Sequence, residues 1–477
     1  MWEKIYFFLY IFLFKILLYE SKKIIIPFKT VHNTESNYIK SLLQYQIYTK
    51  LDIGTTRQTA YIAITTDNYI FAIESSIINE TFYSAKKSTS YKNNSSIYYY
   101  TDKRDSRMKS GDVLNETFYF SDSIYKINEN MYNNIMFNYI TELSQGFSGL
   151  DNGYIDNNIN LISGIIGLQI TRYYSQRDEI IFMKSLKNID AIDKLVWSIY
   201  YLNDNEGYLL FGEYPHEYNN NYNEDDYKKI NCITVDYEYY WYFIFTDIKI
   251  GDNKINEFRT AQYAPQLGLI IGTNEYREII SNYFANFTKS NNCFLNTFKY
   301  KNEEYSYYEC DKNINIDDFE PITFIIRDAE CTFSLDKEDL FVDYNNKKYF
   351  LVIFQKSNNQ IWKLGKPFVK KYYFAFDQDN KKILSYGLFK SNNNGNNNNE
   401  NDNNNNIGIK ILIYASIAIL GILVVILGIF LGKKIFGKKK KKKANELEDN
   451  LDEDEEYQKT INNNNENNTN DYNKIIN

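Results

Sequence analysis

Short apolar stretches, separated by clusters of Asn, Asp, Gly and Ser, recur along the chain between about residues 25 and 390. YIAIT, IFAIES, TFYFS, SIYYL, YLLFG, YWYFIFTDIKIG, ITFII, KYFLVIF and YYFAFD each read as a strand bounded by turn residues. Few stretches suit a helix; 276–286 (YREIISNYFAN) is one. The pattern predicts an all-β plan with minor helices. The asparagine-rich loop 213–230 (EYPHEYNNNYNEDDYKKI) is the candidate joint between two halves.

Two apolar runs break this pattern. Residues 5–18 (IYFFLYIFLFKILL) are short for a bilayer span and contain Lys15, which fits the core of a signal peptide over 1–20. Glu3 makes its leading end atypical. Residues 411–431 (ILIYASIAILGILVVILGIFL) are uncharged and long enough to cross a hydrocarbon core of ~30 Å, so a transmembrane helix is expected over 407–432. Lys433, Lys434 and the lysine run 438–443 follow at once, which makes that end cytoplasmic and the topology type I. Residues 391–406 (SNNNGNNNNENDNNNN) form a polar stalk, and the tail 433–477 turns acidic and then Asn-rich, as disordered tails do. The tail carries YNKI at 472–475, which resembles a tyrosine-based sorting signal.

Composition sharpens the picture. Aromatic residues make up 17% of the chain, with 46 Tyr and 32 Phe, which suits half-buried strands. The formal net charge is -7, without a basic face in the folded part, so no nucleic-acid partner is expected. The two histidines, His32 and His216, argue against a His-based metal site or a Ser-His or Cys-His relay, and no cofactor is expected. Four cysteines, at 232, 293, 310 and 331, form no CxxC pair. In a secreted ectodomain they would form two disulfides in one of three pairings. Sequons at Asn79, Asn93, Asn94, Asn115 and Asn286 could carry glycans, with Asn93 and Asn94 overlapping.

Several segments, in order, resemble the pepsin-like aspartic peptidases. YTKLDIGTTRQTAYIAITTDNYIFAIESS at 48–76 is similar to an IGTPxQ turn followed by a DTGSS loop. FYSAKKSTSY at 82–91 resembles F-x-P-x-x-SST-[FY], and SGIIGL at 163–168 resembles DGILGL. GYLLFGEY at 207–214 and YWYFIFTDIKIGD at 240–252 follow. IWKLGKPFVKKYYFAFDQDNKKI at 361–383 resembles the closing WILG-x-x-F motif. The resemblance implies a bilobal, pepsin-like β fold, with lobes over 21–220 and 221–390 and a peptide-binding cleft between them. It also implies a Cys293–Cys310 disulfide, leaving Cys232 and Cys331 as the second pair.

The chemistry the resemblance implies needs two carboxylates sharing one proton, one drawing a proton from water and the other bonding the peptide carbonyl. Counted from Gly54, the first position is Thr65, and DTGSS has become Thr65-Thr66-Asp67-Asn68-Tyr69. Counted back from Gly272, the second position is Ala264, and DTGTS has become Ala264-Pro265-Gln266-Leu267-Gly268. A methyl group cannot move a proton, and Pro265 removes a backbone donor. Asp67 and Gln266 are the remaining polar candidates at the cleft floor, and Tyr99 is the nearest match to a flap tyrosine, within 97–111, with Tyr98 and Tyr100 as rivals. Three functional readings follow: a non-catalytic membrane receptor whose cleft binds peptide or protein, an active aspartic endopeptidase with a divergent site, and a structural or adhesive glycoprotein at the cell surface or endolysosomal membrane.

Overall fold

The computed structural model describes residues 22–32, 37–101, 108–121, 129–143, 154–155, 160–170, 181–231, 233–235, 238–255, 258–290, 292–300, 303–356 and 361–388. The expected leader 1–20, stalk 391–406, span 411–431 and tail 433–477 lie outside these residues. Among the described residues no helix is long and apolar enough to cross a membrane. Residues Ser21–Asn392 gather into one compact unit, built mostly of strands.

In the first lobe, alternation of side chains drives six strands into a closed barrel. Gln46–Ile53 pairs with Gln58–Thr65, which runs parallel to Gly164–Gly167. Gly164–Gly167 pairs in turn with Phe71–Glu74, then come Glu129–Leu143 and Met108–Ser121. The ring closes where Asp52 and Ile53 meet Tyr119 and Phe118. Closure leaves these strands without open edges, and Ile47, Ile62, Ile64, Phe71, Phe118 and Phe137 fill the inside.

Six further strands, drawn from both halves of the chain, continue the same sheet through the pairing of residues 29–31 with 46–48. Their order is Lys228–Asn231, Lys382–Leu388, Tyr372–Asp377, Val196–Tyr201, Glu206–Phe211 and Ile24–Val31. The junction pairs Val196 with Asp377 and Trp197 with Phe376. Trp197 stacks on Phe376 with ring centroids 4.2 Å apart, and Trp241 and Tyr263 meet Trp197 edge-on. The expected joint 213–230 carries a short helix, Pro215–Tyr218, and ends in the sheet strand Lys228–Asn231.

The second lobe repeats the central device of the first. Arg259–Tyr263 runs parallel to Trp362–Leu364, which pairs antiparallel with Ile270–Gly272. A long helix, Asn274–Lys289, brackets the expected 276–286, and buries Tyr276, Ile280 and Phe284 at successive i, i+4 positions. The segment YWYFIFTDIKIG, expected as one strand, divides into Tyr242–Phe245 and Asp247–Ile250, which join different sheets. Thr246 makes the break, its N–H and hydroxyl both donating to the carbonyl of Ile325.

Cys293 and Cys310 sit opposite each other on paired strands and are joined by a disulfide. The expectation for Cys331 needs correction. Its thiol is free and buried, donates to the Ala329 carbonyl at 3.4 Å, and is pushed up to about 11 by burial. It occupies an inward position at the start of strand Cys331–Leu335, packed into the core. Cys232 lies outside the described residues.

Candidate functional site at the junction of the two lobes

Strand register makes the two floor loops equivalent. In the first lobe Ile64 pairs with Ile166, the residue before Gly167. In the second, Tyr263 pairs with Leu364, the residue before Gly365. The next residues, Thr65 and Ala264, are therefore counterparts, each leaving its strand into a loop. The next bond differs between the loops: Leu168 N–H donates to the Thr65 carbonyl, whereas its counterpart Lys366 N–H donates to the Leu267 carbonyl.

The two loops touch. The buried Thr66 hydroxyl donates to the Tyr263 carbonyl at 2.7 Å and lies 3.3 Å from Gln266 Oε1. Gln262 Nε2 donates to Asp67 Oδ1. Within the first loop, the Asp67 N–H donates to Thr65 Oγ1 at 3.1 Å, and the Ile70 N–H donates to Asn68 Oδ1 at 3.0 Å. Thr65 is thus occupied in shaping its own turn, and Ala264 is fully buried. Asp67 faces an amide across the junction. Of the residues anticipated here, Thr65, Ala264, Asp67 and Gln266 are brought together. Thr66 and Gln262 were not anticipated. Thr66 had a signal, being the threonine that DTGSS and this loop share; Gln262 had none.

Behind the second loop stands a cation. Lys366 N–H donates to the Leu267 carbonyl at 2.8 Å, and its ammonium lies 3.8 Å from Asp204 and 5.6 Å from the centre of the Tyr45 ring. Burial lowers the Lys366 pKa, partly opposed by Asp204. His32 is lowered by burial and then by Lys366. Asp204 is held below the usual carboxylate range, chiefly by its bond from Lys370.

The other anticipated residues fall on the following elements. Tyr99 sits in strand Lys92–Thr101, opposite Ser110 of the paired strand, so the backbone of the expected hairpin forms; its turn, 102–107, is outside the described residues. Asn79 Oδ1 accepts from the N–H and hydroxyl of Thr81. Asn94 Nδ2 donates to Asn115 Oδ1 at 3.4 Å across the hairpin, and Asn286 falls in helix Asn274–Lys289. Among the described residues no group of three or more His, Cys, Asp or Glu could hold a metal ion.

The sequence profile described as eukaryotic aspartyl protease matches residues 45–385, which include both floor loops and the closing Trp362–Leu364 strand. No curated protein matches the chain. The chain belongs to the eukaryotic aspartyl protease family.

Proposed function

We propose that this chain is a non-catalytic member of its family, anchored in a membrane by residues 411–431, whose inter-lobe groove binds a peptide or protein segment without cutting it. The observation that carries this reading is the equivalence of Thr65 and Ala264 by strand register. A hydroxyl of ordinary acidity and a methyl cannot share a proton, activate water and protonate a carbonyl. The family fold supports peptide as the ligand class, because a strand laid between two lobes meets backbone donors and side-chain pockets. The ectodomain would then face outside or into a lumen, with the lysines after 431 on the cytoplasmic side.

Asp67 favours a rival reading as an active endopeptidase, since it is a carboxylate at the junction itself. The amide of Gln262 facing it supplies no second acid, which weighs against that rival. One assay separates them. The purified chain is incubated with unfolded casein from pH 3 to 7, with and without pepstatin. No pepstatin-sensitive cleavage is expected at any pH; cleavage that pepstatin blocks would establish the rival.

A further inference from the structure

Helix Tyr38–Leu43 precedes the first barrel strand, yet its apolar side chains pack on the second lobe. Ile39, Leu42 and Leu43, at spacings of three and four, form one cluster with Leu269, Ile271 and Ile353. In the strands Ile270–Gly272 and Val352–Gln355 the alternate residues Ile270, Val352 and Phe354 enter the main core instead. The helix therefore covers the face of these strands turned away from the main core, beside the floor loop 264–268.

The contact reaches the backbone. The last carbonyls of a helix lack intrahelical partners. Here the Leu42 carbonyl accepts from the N–H of Gly268 at 2.9 Å. A Cβ at Gly268 would stand 3.0 Å from Leu42 Cδ2 and 3.2 Å from its carbonyl oxygen, so the approach is close. At the other end Asn37 Nδ2 donates to Tyr307 Oη at 3.3 Å, and the Tyr38 ring stacks on Tyr344 at 4.1 Å. A backbone donor, an apolar face and ring stacking are the terms in which a groove holds a peptide.

We infer that residues 37–44 are a resident occupant of the groove wall beside the second floor loop. An incoming peptide reaches the Gly268 N–H and the apolar face behind it only by displacing them. The inference rests on the peptide-binding reading above and adds an intramolecular competitor to it.

The probe is the segment itself, a fluorescein-labelled NYIKSLLQ peptide, titrated by anisotropy into the full chain as wild type and as I39D/L42D. The charged variant should release the segment and bind the peptide at least about tenfold tighter than wild type, and the Gly268 N–H should exchange about 100-fold faster. Should I39D/L42D not fold, L42A leaves Ile39 and Leu43 in place and should show both effects, each about threefold or more. Equal binding to wild type and variant, no binding to a folded variant, or unchanged Gly268 exchange overturns the inference. Casein cleavage by the wild type would sink the non-catalytic reading alone, because the peptide comparison does not depend on it.

Discussion

The Thr66 hydroxyl reaches across the junction between lobes to the Tyr263 carbonyl, and both ends of that bond are buried. Replacing it by valine keeps the shape and leaves the Tyr263 carbonyl without its donor. A buried acceptor stripped of its partner costs about 1–3 kcal/mol. Thr66→Val should therefore lower the urea midpoint, while Thr66→Ser should hold it near wild type; equal midpoints for the two variants would remove Thr66 from the junction. At this scale the sequence was legible wherever counting sufficed. Thr65 and Ala264 follow from spacing within one segment each. The Gln262–Asp67 contact joins residues far apart in the chain, and no local pattern encodes which amide will face which carboxylate. The Cys331 thiol shows the same limit, since a cysteine's partner is decided by tertiary placement.

Among elements, the two lobes meet the same steric demand with the same residue. Each floor loop folds back over a glycine that ends the parallel strand pair. A Cβ on Gly167 would stand 2.4 Å from the Asn68 carbonyl oxygen, and one on Gly365 would stand 2.0 Å from that of Leu269. These neighbours are backbone atoms and cannot swing aside. Gly167→Ala and Gly365→Ala should each destabilise by about 1–3 kcal/mol or more through forced backbone shifts, read as a lower denaturation midpoint. A midpoint within error of wild type for either would mean that the loops do not close over these strands. The motifs SGIIGL and KLGK displayed both glycines, but the reason for them, a loop passing overhead, is a three-dimensional fact. Strands were legible because period-two alternation is local. Helix Tyr38–Leu43 was missed for the opposite reason: six residues give too few turns for a helical period, and its apolar side chains are explained only by the second lobe they cover.

Across the whole molecule, the shared sheet and its polar borders decide how the fold responds to acid. The closing motif returns to the first half through Val196 and Asp377, where Tyr214 donates to Asp377 at 2.6 Å. Beside this border the His216 ring stacks between Tyr214 and Tyr227, with Nδ1 2.7 Å from Tyr386 Oη. Burial lowers the His216 pKa, although Glu217 and Glu224 pull it upward and Lys194 adds to the fall. His32, beside Lys366, is lowered as well. A histidine lowered on folding takes up its proton more readily when unfolded, so stability is full above about pH 6.5 and falls as the pH drops through the unfolded value toward the folded one. Asp204, lowered by Lys370, has the same sign in a more acid window: its contribution is present above the unfolded carboxylate value and is lost as pH falls through its folded pKa. Both effects make acid unfavourable to a protein whose family name suggests acid chemistry. The urea midpoint should fall between pH 7.5 and 5.0, and His216→Phe should flatten that slope. A midpoint that rises toward pH 5.0 would reverse the assignment of these groups.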